Sequence, residues 1–260
     1  MNDTLKGMVY GLAVGDALGV PYEFCDRDTF TCTGMTGGGT WRQPAGTWSD
    51  DTSMTLATMD SIADCGGVDI DDMREKFRAW AHGDAYTCNG ETFDIGNTTR
   101  EALRLGRGLD DEYSNGNGSL MRILPLAFVP GVTVEEVEAV SAITHAHRFS
   151  QACCWELVTD AIRLIDGEAP AHSDLQRDEI RSGGYVGDTL AAARWCVGTA
   201  SSYAEAVLLA VNLGGDTDTT AAVAGGLAGI VWGYDAIPEA WLAALRNKDE
   251  IERVLSRWPF

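Results

Sequence analysis

Basic residues are scarce in this chain. It carries 19 Lys and Arg against 39 Asp and Glu, for a formal net charge of −20. Binding along a nucleic-acid backbone is driven by Lys and Arg that neutralise phosphates, so this balance argues against a nucleic-acid binder. Cysteine pairs at metal-binding spacing are missing as well. Cys25, Cys32, Cys65, Cys88, Cys153, Cys154 and Cys196 are odd in number and contain no CxxC. That excludes the usual zinc and disulfide frameworks and fits reduced thiols in a cytoplasmic protein. No positive, apolar, then small-residue pattern opens the chain, so no secretion peptide is expected. The longest charge-free apolar stretch, residues 219–234, is short for a membrane span and rich in Ala and Gly. It is read as a buried helix, and no membrane association is expected. Alternating Val-rich runs are rare, so few strands are expected.

Helical signals fill the space that strands leave empty. Thr133-Val-Glu-Glu136 and Ser202-Tyr-Ala-Glu205 both read as capping boxes ahead of apolar runs. Cys154, Leu157, Val158, Ala161 and Ile165 have helical spacing, as do Leu56, Met59 and Ile62. Gly7, Gly11, Gly15 and Gly19 recur every four residues. On a helix they form one bare stripe that admits a second helix at close range, at a cost in helix propensity that packing must recover. Gly225, Gly226 and Gly229 suggest similar close packing late in the chain. Loops are expected at residues 25–48 and 110–118, both joining helices of similar character. The expectation is an all-α fold in which residues 1–260 form one multi-helix domain.

Acids and hydroxyls concentrate at two helix starts, Ser49-Asp50-Asp51-Thr52-Ser53 and Gly214-Gly215-Asp216-Thr217-Asp218-Thr219-Thr220. Taken singly, each is an ordinary cap, since Ser, Thr and Asp cap helices and acids suit the first turn. One cap needs one such residue, however. Four carboxylates brought together would repel one another unless a cation lay between them. Carboxylate and hydroxyl oxygens are hard ligands suited to Mg²⁺, Mn²⁺ or Ca²⁺ rather than zinc. If the two starts meet, Asp218 can bridge two ions, which in two-metal hydrolases lie about 3.5–4 Å apart. Glu23 follows Gly19-Val-Pro21, where the first helix should break, and is a further candidate ligand. A solvated loop position is its ordinary alternative.

These segments, with others in order along nearly the whole chain, resemble the ADP-ribosylglycohydrolase family. The matching stretches are Gly11-Leu-Ala-Val-Gly-Asp-Ala-Leu-Gly19 with Glu23, Gly46-Thr-Trp-Ser-Asp-Asp-Thr-Ser-Met54, Asp94-Ile-Gly-Asn97 and Asn115-Gly-Asn-Gly-Ser-Leu-Met-Arg122. They continue with Thr144-His145, Gly184-Tyr-Val186 with Asp188-Thr189, and Gly214-Gly-Asp-Thr-Asp-Thr219. The resemblance implies an all-α hydrolase with a binuclear Mg²⁺ or Mn²⁺ centre that releases ADP-ribose from a modified acceptor. Carried over by motif, Ser49, Asp50, Asp51 and Asp218 hold one ion. Asp216, Asp218 and Thr219 hold the other, with Glu23 beside it. Ser49 stands where the family often has Thr, and the hydroxyl is retained.

The same resemblance places Asp94, Gly96, Asn97, Asn115, Gly116, Asn117, Gly118, Ser119, Met121 and His145 along the ADP-ribose cleft. Glycine-rich backbone suits a diphosphate, because bare amides approach it closely. Tyr185 either stacks on adenine or is an ordinary half-buried tyrosine. His147 lies two residues from His145, so the two share no helix face and form no metal pair. The implied reaction is hydrolysis at the anomeric carbon of the distal ribose, with Asp51, Asp94 or Glu23 assisting proton transfer. Asp94 matches an arginine-directed branch, so the implied substrate is ADP-ribosyl-arginine on protein, acted on by a cytoplasmic monomer. The alternatives are serine, nucleobase or O-acetyl ester linkages, an inactive ADP-ribose-binding module, and a structural helical protein that has lost the site.

Overall fold

The structure is a computed structural model that describes residues 3–260. The first helix, α1 (Asp3–Gly19), is buried from Gly7 to its end. It breaks at Gly19, and a short 3₁₀ turn, Val20–Tyr22, carries Pro21 in its first positions. A long loop follows, and α2 (Asp50–Cys65) begins directly at the first acidic segment. Next come α3 (Ile70–His82) and α4 (Asn97–Leu105), then 3₁₀ turns at Leu120–Arg122 and Leu124–Phe128. The second half contains α5 (Val134–Ala142), α6 (Arg148–Ile165), α7 (Val186–Thr199), α8 (Tyr203–Val211) and α9 (Thr217–Trp232). It closes with α10 (Glu239–Ala244) and α11 (Lys248–Leu255). Among the described residues there is no extended strand, only isolated bridges at Gly38–Gln43, Leu109–His145 and Gly116–Tyr185. The all-α expectation holds.

The charge-free stretch lies in α9 as far as Trp232, its last two residues falling beyond the helix end, and α9 is buried from Thr217 to Ile230. A helix apolar on every side belongs in the core. Its neighbour is α1, and the two glycine runs expected to pack closely pack against each other. A Cβ at Gly7 would lie 2.4 Å from the Gly229 carbonyl oxygen, at Gly11 2.3 Å from that of Gly225, and at Gly15 2.0 Å from that of Ala221. The pairing order makes the helices antiparallel. No side chain fits at these positions without moving backbone. Tyr203, wholly buried on α8, donates its hydroxyl to the Gly11 carbonyl at 2.8 Å. No helix among the described residues is long and apolar enough to cross a membrane.

Local signals behave as their chemistry dictates, with one difference. Thr133 and Glu136 form the full capping box of α5. Ser202 caps α8 through the Glu205 amide, but the Glu205 carboxylate turns to Ser201 instead of closing the box. Ser201 offers both an amide and a hydroxyl, which together outweigh the single amide of Ser202. Leu56, Met59 and Ile62 on α2, and Cys154, Leu157, Val158 and Ala161 on α6, are buried, while Ile165 is half-buried. The loop of residues 25–48 docks on the carboxy-terminal segment. Trp48, buried, donates to the Arg246 carbonyl at 3.0 Å, and Arg246 N–H donates to Gly46 at 3.0 Å.

Candidate metal centre

The two acidic helix starts meet. The glycine stripe ends with Gly19 against the first turn of α9. Asp16, three residues earlier on α1, is fully buried and reaches the first turn of α2. Its carboxylate accepts from Ser49 N–H at 2.9 and 3.0 Å, from Thr52 N–H at 3.1 Å and from the Thr52 hydroxyl at 2.6 Å. The orphan amides of α2 are therefore capped from another helix, not from within the segment. Ser49 is at the cap position yet makes no capping bond, and its hydroxyl donates to Asp51 at 3.1 Å. Asp216 is at the cap position of α9 and makes none either. The ordinary cap explanation thus fails at both segments. The Thr219 hydroxyl, 3.5 Å from an Asp51 oxygen, links them directly.

Loop geometry sets the rest. Gly214 and Gly215 have φ of 74° and 76°, the left-handed region. Neither tolerates a Cβ, which would lie 2.6 Å from Arg27 N or 2.4 Å from the Ser182 carbonyl oxygen. Phe24 N–H donates to Gly215 at 2.7 Å and Gly215 N–H to Cys25 at 2.8 Å, which clamps the Glu23 loop onto the start of α9. Glu23 is buried and accepts a short hydrogen bond from the Trp41 indole, so it is no solvated loop residue. Asp94 is half-buried at φ 58°.

Two groups of oxygens result. One oxygen each from Asp16, Asp51 and Asp218 lie within 4.8 Å of one another, and so do one each from Glu23, Asp94 and Asp218. Asp218 belongs to both groups. Asp50 and Asp216 belong to neither, and both line the cleft. None of these seven carboxylates forms a salt bridge among the described residues. Burial first, then mutual repulsion, pushes Asp50, Asp51 and Asp218 well above the usual carboxylate range. Burial, with Asp50 and Glu23 adding to it, lifts Asp94 to about 11, and burial lifts Glu23 to about 7. Asp16 rises to about 6 through burial, held back by its four hydrogen bonds.

A hard divalent cation fits this set. The buried oxygens Asp51 Oδ1, Asp216 Oδ1 and Asp218 Oδ2 have no hydrogen-bond partner. Buried acceptors are almost always satisfied, so three orphans at one place point to a missing positive partner. A cation there would reverse the upward shifts. Asp16 has proximity, but its Oδ2 already accepts from Ser49 N–H, Thr52 N–H and the Thr52 hydroxyl, and its Oδ1 from Ser49 N–H. Its place is support for Ser49 and Thr52.

A cleft of about 380 Å³ opens over the acids. Of the residues singled out in the sequence, Glu23, Asp50, Asp94, Gly96, Asn97, Gly116, Asn117, Gly118, Met121, His145, Asp216 and Thr219 line it. Asn117 donates its amide to Asp216 at 2.9 Å and to Thr189 at 2.9 Å, which ties the cleft wall to the acids. Ser119, Asn115, Tyr185 and His147, also singled out in the sequence, do not line it. Ser119 is fully buried, with its hydroxyl on Ser141 and Cys154. Asn115 accepts from the Ser150 hydroxyl at 2.9 Å, and its carbonyl receives Val186 N–H. Tyr185 is 46% exposed and stacks on Phe149, with centroids 5.5 Å apart and planes at 12°. His147 caps α6 through Phe149 N–H, a structural role.

The sequence reading missed three contributors. Asp16 had a visible signal, being the only charge between Lys6 and Glu23 in an apolar helix. Trp41 and Phe149 had none, since their partners lie 18 and 36 residues away in loops and at another helix start.

The sequence profile of the ADP-ribosylglycohydrolase family matches residues 1–175 and 154–258. An ADP-ribosylarginine hydrolase of Serratia proteamaculans is 36% identical over 97% of this chain and 78% of its own. An ADP-ribosyl-dinitrogen reductase glycohydrolase of Rhodospirillum rubrum is 34% identical over 97% of this chain and 93% of its own. A solved structure, described as an ADP-ribosylglycohydrolase-related protein complex, superimposes with a TM-score of 0.76 at 31% identity, covering 98% of this chain and 96% of that one.

Proposed function

This chain belongs to the ADP-ribosylglycohydrolase family, and on that premise we propose that it hydrolyses the bond between ADP-ribose and an arginine side chain of a modified protein. The observation that carries the reading is Asp218, shared by two groups of carboxylates at one cleft. Two Mg²⁺ or Mn²⁺ ions suit that arrangement. Ser49, Asp50, Asp51 and Asp218 would hold one, and Asp216, Asp218 and Thr219 the other, with Glu23 beside it. When bound, such ions supply charge stabilisation and the activation of water for attack.

The protein's own groups do the remainder. The bare glycines Gly116 and Gly118 offer backbone amides to the diphosphate, on a wall that Asn117 ties to the acids with all its own N–H groups. Tyr185, stacked on Phe149, offers a flat exposed face to adenine. Of the three carboxylates expected to move a proton at the distal ribose, Glu23 and Asp94 line the cleft, and Asp51 is wholly buried. The leaving guanidine departs neutral if it enters as a guanidinium, and a cleft dense in acids favours that cation on arrival.

Arginine as the acceptor is supported by the activity named for the Serratia relative and by the position of Asp94 at the cleft. The test is a side-by-side hydrolysis assay, with Mg²⁺ or Mn²⁺ supplied, on arginine-, serine- and nucleobase-linked ADP-ribose and on the O-acetyl ester. Release from the arginine linkage at the highest kcat/KM is expected. No release from it, with turnover of another linkage, would replace the acceptor. Binding without turnover on every linkage would make the protein a reader of ADP-ribose.

A further inference from the structure

Arg122 ends a 3₁₀ turn and is wholly buried. No carboxylate among the described residues pairs with it. Its Nη1 donates to the Val140 carbonyl at 3.3 Å and its Nη2 to the Thr144 hydroxyl at 2.8 Å. Its guanidinium lies over the Phe77 ring, 4.4 Å from the centroid, and its Nε has no partner. A buried cation without a counter-ion is unfavourable, so its position calls for a reason beyond packing.

The Thr144 hydroxyl supplies one. It lies 2.9 Å from His145 Nδ1. A guanidinium only donates, so the Thr144 oxygen accepts from Arg122 and keeps its single proton for its other neighbour. Among the described residues that neighbour is His145 Nδ1, which must then be a bare acceptor. A proton on Nδ1 would leave the hydroxyl proton with nowhere to go.

We propose that Arg122, acting through Thr144, fixes His145 as the neutral tautomer protonated on Nε2, so that the ring presents one N–H donor to a substrate oxygen in the cleft. The geometry on the other side agrees. A Cβ at Gly118 would lie 2.9 Å from His145 Cε1 and 3.4 Å from Nε2, and one at Gly116 would lie 3.5 Å from Nε2. Bare glycines are what leave that nitrogen open to the cleft. Burial, with the Arg122 charge adding to it, pushes His145 down to about 3, so the ring carries no charge of its own. Arg122 and Thr144 are positioning residues that touch no substrate. The inference rests on the proposed function only for the identity of the oxygen that accepts the bond. The tautomer itself is independent of it.

Heteronuclear NMR of the imidazole nitrogens in the metal-loaded full chain reads the tautomer directly. The signal of His145 is the one lost in His145→Gln. A single Nε2–H form at neutral pH is expected, retained in Thr144→Ser and replaced by a tautomer mixture in Thr144→Val. An Nδ1–H or doubly protonated ring in the unmutated protein would overturn the proposal and needs no variant to fold. So would a Thr144→Val spectrum unchanged from wild type. ADP-ribose affinity should fall in Thr144→Val by the fraction of the Nε2–H form that is lost, about twofold for an even mixture, with divalent-metal affinity unchanged. ADP-ribose that fails to bind even the unmutated protein, with the tautomer as stated, would overturn the proposed substrate and support the relay.

Discussion

Gly19 lies flush against Asp218: a Cβ at Gly19 would stand 2.3 Å from the Asp218 Cα and 2.4 Å from its amide nitrogen. The last bare position of α1 therefore sets how closely the shared carboxylate of the candidate centre approaches Asp16 and the start of α2. Spacing of the acids and packing of the core are one feature in this protein, and the glycine stripe serves both.

Gly19→Ala tests that coupling. Forcing a methyl into this contact should cost about 1–3 kcal/mol, a drop of roughly 3–10 °C in Tm, as overpacking does. It should also weaken divalent-metal binding, because the Asp218 backbone must shift. Gly67→Ala, where nothing lies within 4 Å of the added atom, is the control and should leave metal affinity intact. Thermal scans and metal titration calorimetry measure both. Equal metal affinity in the two variants would separate packing from the site.

Metal removal is the second test. Chelator should abolish ADP-ribose release, and Mg²⁺ or Mn²⁺ should restore it. Metal at about a hundredfold over its Kd should stabilise the fold by about 2.7 kcal/mol, since it binds only the folded chain. Asp50→Asn and Asp218→Asn should both lose turnover while remaining folded. Asp218→Asn should also lose the metal-induced rise in Tm. Full activity in fully chelated protein would rule out a metal-dependent mechanism.

The metal-free protein should lose stability as pH rises. Folding lifts Glu23 from 4.5 to about 7, so the folded chain keeps a proton that the unfolded chain releases. The group is neutral to stability below 4.5 and becomes a growing penalty as pH climbs toward 7. Asp16, lifted from 3.8 to about 6, acts with the same sign. Tm of the chelated protein measured across this window should fall. Glu23→Gln should flatten part of the slope, and saturating metal should remove it. A chelated protein whose Tm stays level or climbs there would contradict the placement of these acids.

Tyr185→Ala should weaken ADP-ribose binding by roughly fivefold to a hundredfold, the range for loss of one base-stacking ring. Phe149→Ala should have a smaller effect of the same sign, because it removes the ring behind Tyr185. Neither change should alter metal affinity. Calorimetry with ADP-ribose and with ribose 5-phosphate separates the two halves of the ligand. An equal loss for both would move adenine away from this face.

Much of the fold could be read locally. The break at Gly19, the cap at Thr133 and the apolar helix α9 each follow from neighbours within one turn. The glycines at every fourth position announced a close contact but not its partner. Nothing in the sequence marks Gly225 and Gly229 as the mates of Gly11 and Gly7. Asp16 was visible as a lone charge in an apolar helix, yet its role depends on amides 33 and 36 residues away. Trp41 on Glu23, Phe149 behind Tyr185 and Arg122 beneath Thr144 leave no periodic trace, because each meets its partner through loop geometry or packing. Ser119 and Asn115, read with the cleft, face inward because neighbouring hydroxyls and amides claim their polar atoms.

The sequence by itself determined the helical class, the two clusters of hard oxygen ligands and the excess of acid that no nearby base offsets. Those depend on residue type and short-range spacing, which a linear chain displays in full. Tertiary structure alone decided that the clusters share Asp218, that Asp16 caps α2 from across the core, and that Arg122 is buried without a counter-ion beside His145. Such relationships depend on how close two helices approach, and that distance is set by side chains far apart along the chain.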